Sequence, residues 1–275
     1  MKLMVNGREA YAYTGGKPFD ASLPCVVFVH GAMNDHSVWT LLARWFAHHG
    51  HGVLAVDLPG HMRSAGPALR SVADLAAWVL AAMDAVGVQR ATLTGHSMGS
   101  LVALAAAAQA PQRITRLNLL GTCVPMPVPQ TLLDLSLSQP LDAIDRVVSF
   151  SFSTLAAKPS FPGPGVWLRG SARALMRQVL SAQGDSTLFH TDFSVCNNYS
   201  AGLDDAKQVR CPTHLVLGQL DQMTQPKGAR DVVAVLQVQG LPVQGQGQGQ
   251  AQVHTLPAGH QLMAECPDAV LQALR

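Results

Sequence analysis

Charge is scarce in this chain. Charged residues make up 13% of it, and 19 basic against 17 acidic residues leave a net charge of +2. An average protein carries about 25% charged residues. So small a net charge offers no bulk electrostatic attraction for nucleic acid or an anionic membrane. Long apolar runs are missing as well. The longest, residues 101–108, is mostly alanine and far below the roughly 18 residues of a membrane span. Cysteine patterning is absent: Cys25, Cys123, Cys196, Cys211 and Cys266 are odd in number and irregularly spaced, which excludes a disulfide framework and a CxxC zinc site. The first residues carry one lysine and turn polar at Asn6 without an apolar stretch, so no secretory leader is expected and the chain reads as cytoplasmic with reduced thiols. What is present is 275 residues, 48% of them hydrophobic. That excludes a disordered chain and suffices for a large core.

The first third alternates short apolar runs with amphipathic ones. Residues 25–30 (CVVFVH) and 52–57 (GVLAVD) read as buried parallel strands. Between them Val38, Trp39, Leu41, Leu42, Trp45 and Phe46 share a helical face, capped by Asn34 or Asp35 and closed by Gly50. A helix is predicted over 72–86 and strands over 90–94 and 116–120, with an alanine-rich helix between them. Residues 3–6 and 9–13 read as an edge hairpin. Beyond Pro125 the strand signal disappears until 213–217. Helical stretches at 132–137, 143–150 and 172–182 flank a Pro/Gly-rich break at 158–165. A helix over 227–238 and a strand over 252–256 close the pattern. Repeated β-α units imply a parallel sheet covered by helices on both faces. The expected organisation is an α/β core from residues 1–124 and 209–275, a helical cap from 125–208, and a flexible Gln/Gly loop over 239–252 that has nothing to bury.

Gly95-His96-Ser97-Met98-Gly99 is a GxSxG with a β run before it and a helical run after it. Small residues two positions either side of Ser97 are what a strained strand–turn–helix elbow needs. The turn holds the serine hydroxyl out at the carboxyl end of the sheet. The Met98 amide then sits at a helix N-terminus, ready for a developing oxyanion. A serine nucleophile needs a base, and the base an orienting acid, in the chain order Ser, Asp/Glu, His. His260 lies just past the last strand and Asp221 just past the strand before it, both at the carboxyl end where ligand sites form. Of the other downstream histidines, His190 falls in the insert, His214 opens a strand and His254 lies within one. Asp204 and Asp205 precede a strand, and Glu265 is on the closing helix. His30-Gly31-Ala32 follows the first buried strand and offers the Ala32 amide as second oxyanion donor, with Gly31 permitting close approach. His48-His49-Gly50-His51 reads as a helix C-terminus, where histidines complement the dipole, and no metal is expected there. Trp39, Trp45 and Trp78 read as core. Phe150, Phe152, Phe161 and Trp167 either line a pocket or bury the insert.

Taken in order, HGAM, DLPGHMRS, GHSMGS, GQLD and PAGHQLMAECP resemble the α/β-hydrolase fold family, in its small serine-esterase branch with a helical cap. The resemblance spans about residues 26–275 and is weakest in the insert. It implies a mostly parallel eight-stranded sheet, a triad of Ser97, Asp221 and His260, an oxyanion hole from Ala32 and Met98, elbow glycines at Gly95 and Gly99, and no cofactor. Serine in the elbow argues against the dehalogenase and epoxide-hydrolase branches, which use aspartate. Met62 stands where the family usually has glycine. The expected activity is hydrolysis of a small or medium, largely apolar ester through an acyl-enzyme. A carbon–carbon bond hydrolase, an enol-lactonase, a peptidase and an acyltransferase remain open on the same triad, as does a non-catalytic binder on the same fold. Arg146, Arg169, Arg173 and Arg177 leave room for a substrate carboxylate. The expected partner is a small molecule, with no nucleic acid and no membrane span.

Overall fold

The computed structural model describes residues 1–153, 167–238 and 251–275. Eight strands form one sheet: β1 (Lys2–Val5), β2 (Arg8–Tyr13), β3 (Cys25–Val29), β4 (Gly52–Val56), β5 (Ala91–His96), β6 (Ile114–Leu120), β7 (Thr213–Gly218) and β8 (Ala251–Leu256). Their order is β1-β2-β4-β3-β5-β6-β7-β8. The first two pair as an antiparallel hairpin, β2 runs antiparallel to β4, and every later pairing is parallel.

The central strands β3 and β4 are apolar and buried at every position because both faces of the sheet are covered there, and their two-residue period divides the core. Val27, Val29, Leu54, Val56 and Leu93 point to one cluster, while Val26, Phe28, Val53 and Ala55 point to the other. The first cluster is roofed by α2 (Val72–Ala85), α3 (Met98–Gln109), α8 (Gly202–Ala206) and α9 (Arg230–Val238). The second lies under α1 (Thr40–His48), the short α10 (Leu262–Glu265) and α11 (Pro267–Leu274). Local signals set these helices. Ser71 caps α2 by accepting the Asp74 amide. Gly50, at φ +81, ends the turn after α1, and His51 N–H reaches back to Phe46 C=O. Asp35 caps a single 3-10 turn, His36–Trp39, ahead of α1.

Between β6 and β7 the described residues hold helices and no strand: α4 (Gln130–Ser138), α5 (Pro140–Ser151), α6 (Leu168–Ala182), α7 (Leu188–Asn198) and α8. α4 packs on α5 and α7, α5 packs on α6, and α7 and α8 lie against α3. The last two of these helices are not among the stretches expected from sequence. The Pro/Gly break at 158–165, with Phe161, lies outside the described residues, as do 239–250 of the Gln/Gly tract. The expected loop boundary at 252 is two residues too long. Ala251 and Gln252 already pair with Thr213 and His214 of β7, and ladder hydrogen bonds supply what their side chains cannot. No helix among the described residues is long and apolar enough to cross a membrane.

Phe28 is fully buried, with ring centroids 5.1 Å from Trp39 and 5.9 Å from Phe46. Phe28→Ala should cost about 3–5 kcal/mol in denaturant unfolding, through lost transfer energy and the cavity left behind. Leu41→Ala, at a position 64% exposed, should change stability by less than about 0.5 kcal/mol.

Candidate active site

Ser97 sits between β5 and α3 at φ 54 and ψ −122, a backbone conformation that a non-glycine residue adopts only under compulsion. The compulsion is packing. A Cβ on Gly95 would lie 2.0 Å from Gly99 O, and one on Gly99 would lie 2.2 Å from Val29 O. The strand, the turn and the start of α3 therefore interlock backbone to backbone against the end of β3. A Cβ on Gly31 would come within 3.0 Å of Ser97 Cβ, so the loop after β3 lies directly beside the serine. Among the described residues no acceptor meets the Ala32 amide. Met98, as the first residue of α3, is one of the four N–H groups without an intrahelical partner.

Asp221 and His260 follow β7 and β8, neighbouring strands, and meet directly: His260 Nδ1 lies 2.8 Å from Asp221 Oδ2. Thr224 Oγ1 donates to Asp221 Oδ2 or to Gly121 C=O and is 3.1 Å from His260 Nδ1. The amides of Met223 and Thr224 donate to Asp221 Oδ1. Burial alone would raise the Asp221 carboxyl. The attraction of His260 and these hydrogen bonds outweigh it, so its pKa lies below the ordinary 3.8. The backbone of His260 is held twice, its N–H by Ser151 C=O at the end of α5 and its C=O by His96 Nε2 at 2.8 Å. That bond fixes the proton of His96 on Nε2 and leaves its buried Nδ1 without a partner. Burial pushes His96 down to about 3, so it stays neutral.

Ser97, His260, Ala32 and Thr224 border one cavity of about 330 Å³ beneath the inserted helices. No hydrogen bond joins Ser97 Oγ to His260 among the described residues, although both line this cavity. Met126, Val128, Leu132, Val147, Phe150 and Phe193 give the cavity apolar walls. Phe150 thus faces the cavity, Phe152 is buried and Trp167 is half exposed. The rival acids are engaged elsewhere. Asp205 accepts from Tyr199, Asp204 pairs with Lys207, and Glu265 takes the Gly259 and Ser153 amides. His49 stacks on Trp45, away from this site. Asp35, His36 and Asp57 converge, but His36 and the Arg63 amide already occupy Asp57.

His30 bridges Gly31 C=O and the Leu58 amide and so ties the loop after β3 to the loop after β4. In that second loop Met62 takes φ +40, as its glycine-like position demands. The left-handed region costs a side chain about 1–2 kcal/mol, and Gln183 Nε2 at 2.6 Å from Met62 C=O helps to hold the turn. Sequence reading missed Asp192, on α7. Its carboxylate is buried beside the site and contacts His61 and the Met33 amide. A lone acid between Phe189 and Phe193 is the signal that marks it.

These features belong to a recognised class: residues 24–262 match the alpha/beta hydrolase fold, and the chain is a member of that family. Among curated proteins it is 40% identical over 98 residues to a dihydrolipoyllysine-residue acetyltransferase component of an acetoin cleaving system from Pseudomonas putida. It is 29% identical over 89 residues to a 2-succinyl-6-hydroxy-2,4-cyclohexadiene-1-carboxylate synthase from Serratia proteamaculans. The matches cover 35% and 31% of this chain and span only 26% and 32% of those relatives. Among solved structures, an enol-lactonase from Burkholderia xenovorans LB400 superposes with TM-score 0.80 at 21% identity, covering 100% of this chain and 98% of that one. Est816, described as an N-acyl homoserine lactone degrading enzyme, gives 0.79 at 20% identity and covers 100% and 99%. At such identities the likeness speaks to fold.

A carboxyl with a lowered folded-state pKa contributes stability above its ordinary value and loses it as pH falls through the folded value. Asp221→Asn should therefore be less stable than wild type at pH 7 by about 1–3 kcal/mol. It should also lose less stability than wild type between pH 5 and pH 3 (window set by the ordinary value of 3.8), as denaturant melts at both ends would register.

Proposed function

We propose that this α/β hydrolase is a serine hydrolase that cleaves a small or medium, largely apolar carboxylic ester or lactone through an acyl-enzyme. The observation that carries the reading is the buried Asp221–His260 contact of 2.8 Å opening on the same cavity as Ser97. In this reading His260 Nε2 takes the Ser97 proton as Oγ attacks the carbonyl carbon. Asp221 holds the imidazole in the required tautomer and stabilises it when charged. The Ala32 and Met98 amides receive the oxyanion, and collapse of the tetrahedral intermediate expels the alcohol, protonated by His260. Water, activated by the same histidine, then releases the acid. The cysteines near the site take no part: burial raises the Cys123 thiol to about 12 and pushes the Cys196 thiol up as well. The inserted helices act as a cap whose apolar wall selects the acyl group.

A second reading, of a substrate that also bears a carboxylate, is favoured by one residue. Arg146 on α5 borders the cavity, and no carboxylate pairs with it among the described residues. Residues 154–166 and 239–250 contain no Asp or Glu. Its neighbour Asp145 instead engages Arg173 and Arg177. An unpaired guanidinium at an apolar pocket suits a substrate that bears a carboxylate away from its scissile carbonyl.

A fluorophosphonate probe should label the protein once, on the peptide containing Ser97. Ser97→Ala should abolish labelling and lower kcat on a p-nitrophenyl ester by several orders of magnitude, since the triad acts as a unit. Labelling that survives in the alanine variant would defeat the assignment. Arg146→Ala should lower the kcat/KM ratio of carboxylate-bearing over neutral esters by about tenfold or more, the scale of one charged hydrogen bond. An unchanged ratio would leave the apolar-ester reading alone.

A further inference from the structure

A second buried histidine–carboxylate pair lies outside the reacting groups. His61 Nε2 is 2.9 Å from Asp192 Oδ2, with side chains only 2% and 4% exposed. The other ring nitrogen, Nδ1, faces Pro59 C=O at 3.1 Å. Both nitrogens therefore face acceptors. A neutral imidazole has a single N–H to give, so the surroundings call for the imidazolium. The groups around it agree. His30, whose ring centroid is 4.8 Å away, is neutral and bound to Gly31 C=O and Leu58 N–H, and Asp57 is engaged by His36 and Arg63. Burial by itself would lower the His61 pKa, but the charge of Asp192 and the hydrogen bonds the ring donates to Asp192 and to Pro59 C=O carry it above its ordinary value.

Asp192 Oδ2 has a second donor. The Met33 amide reaches it at 2.8 Å. Met33 directly follows Ala32, is fully buried, and sits at φ +57, which a side-chain-bearing residue does not hold unaided. One carboxylate oxygen on an inserted helix thus grips the loop that runs beside Ser97, and it occupies the Met33 N–H so that Ala32 is the donor this loop can offer. A buried carboxylate with no counter-charge would be costly, and His61, from the loop after β4, supplies that charge.

We propose that Asp192 is a positioning residue that holds the Ala32–Met33 loop as an oxyanion pocket, with His61 as its buried counter-ion. The proposal rests on the serine-hydrolase reading. It makes completion of the pocket depend on the docking of α7.

The test compares Asp192→Ala and Asp192→Asn with wild type in ester turnover and in inhibition by a trifluoromethyl ketone, whose serine adduct carries an oxyanion. Asp192→Ala should lose about 10- to 100-fold in kcat, less than deletion of an oxyanion donor outright, with KM changed by no more than about threefold. Its ketone affinity should fall by the same factor as kcat/KM, a correlation that general loosening of the fold would not produce. Asp192→Asn keeps an oxygen for the Met33 amide and should recover most of the loss while remaining about 3- to 10-fold impaired in both measurements. Should the alanine variant fail to fold, the asparagine variant alone carries the comparison. Wild-type kcat and ketone affinity in a folded variant, or a kcat loss with ketone affinity unchanged, would overturn the proposal while leaving the hydrolase reading intact. A wild-type protein that neither turns over esters nor binds the ketone would overturn the hydrolase reading itself.

Discussion

The site depends on a place where no side chain fits. Gly95 meets the backbone of Gly99 and Ser100, and Gly99 meets the carbonyls of Val29 and His30, all closer than a Cβ allows. Because α3 can approach the ends of β5 and β3 so tightly, Ser97 is carried above the sheet in a conformation it would otherwise leave. The loop after β3 must then pass beside it. The strands after β6 bring in the remaining groups: β7 and β8 pair in parallel, so Asp221 and His260, in the loops just beyond their ends, emerge side by side.

Around this backbone junction the histidines divide by what faces them. His30 and His96 each have one nitrogen committed as donor and are held neutral by burial, and they serve as struts between loops. His61 and His260 each face a buried carboxylate. The same side chain thus serves as a neutral spacer and as the partner of a carboxylate within a few ångströms, and the difference lies in the acceptor across from it rather than in depth of burial.

Much of this was legible in the chain because it is local. Apolar runs ending in glycine or aspartate mark the strands, the GHSMG context marks the elbow, and Asp221 and His260 stand just past strand ends. The parts that escaped are tertiary. Helix α7 carries a mixed sequence whose burial comes from packing on α3 and α4, so its period is weak. The partners of Asp192, 131 and 159 residues away, leave no mark near it. Met62 shows the converse. Its departure from glycine was visible, but not that the turn keeps its left-handed geometry regardless. β8 starts one residue ahead of the expected 252 because Ala251 is paired through backbone atoms, to which composition is blind.

The position of the inserted helices has a consequence for synthesis. They interrupt the sheet between β6 and β7, so about ninety residues separate the end of one strand from the start of its neighbour. At 5–20 residues per second a ribosome needs roughly 5–20 s to cross that gap. Through that interval β6, buried in the finished sheet, is an unpaired edge with a row of free amides and carbonyls. The nascent chain therefore passes through a stage in which a six-stranded fragment can form its first hydrophobic layer while its growing edge invites pairing with another chain. That edge is closed to such pairing only once β7 has been made and lies in parallel along β6.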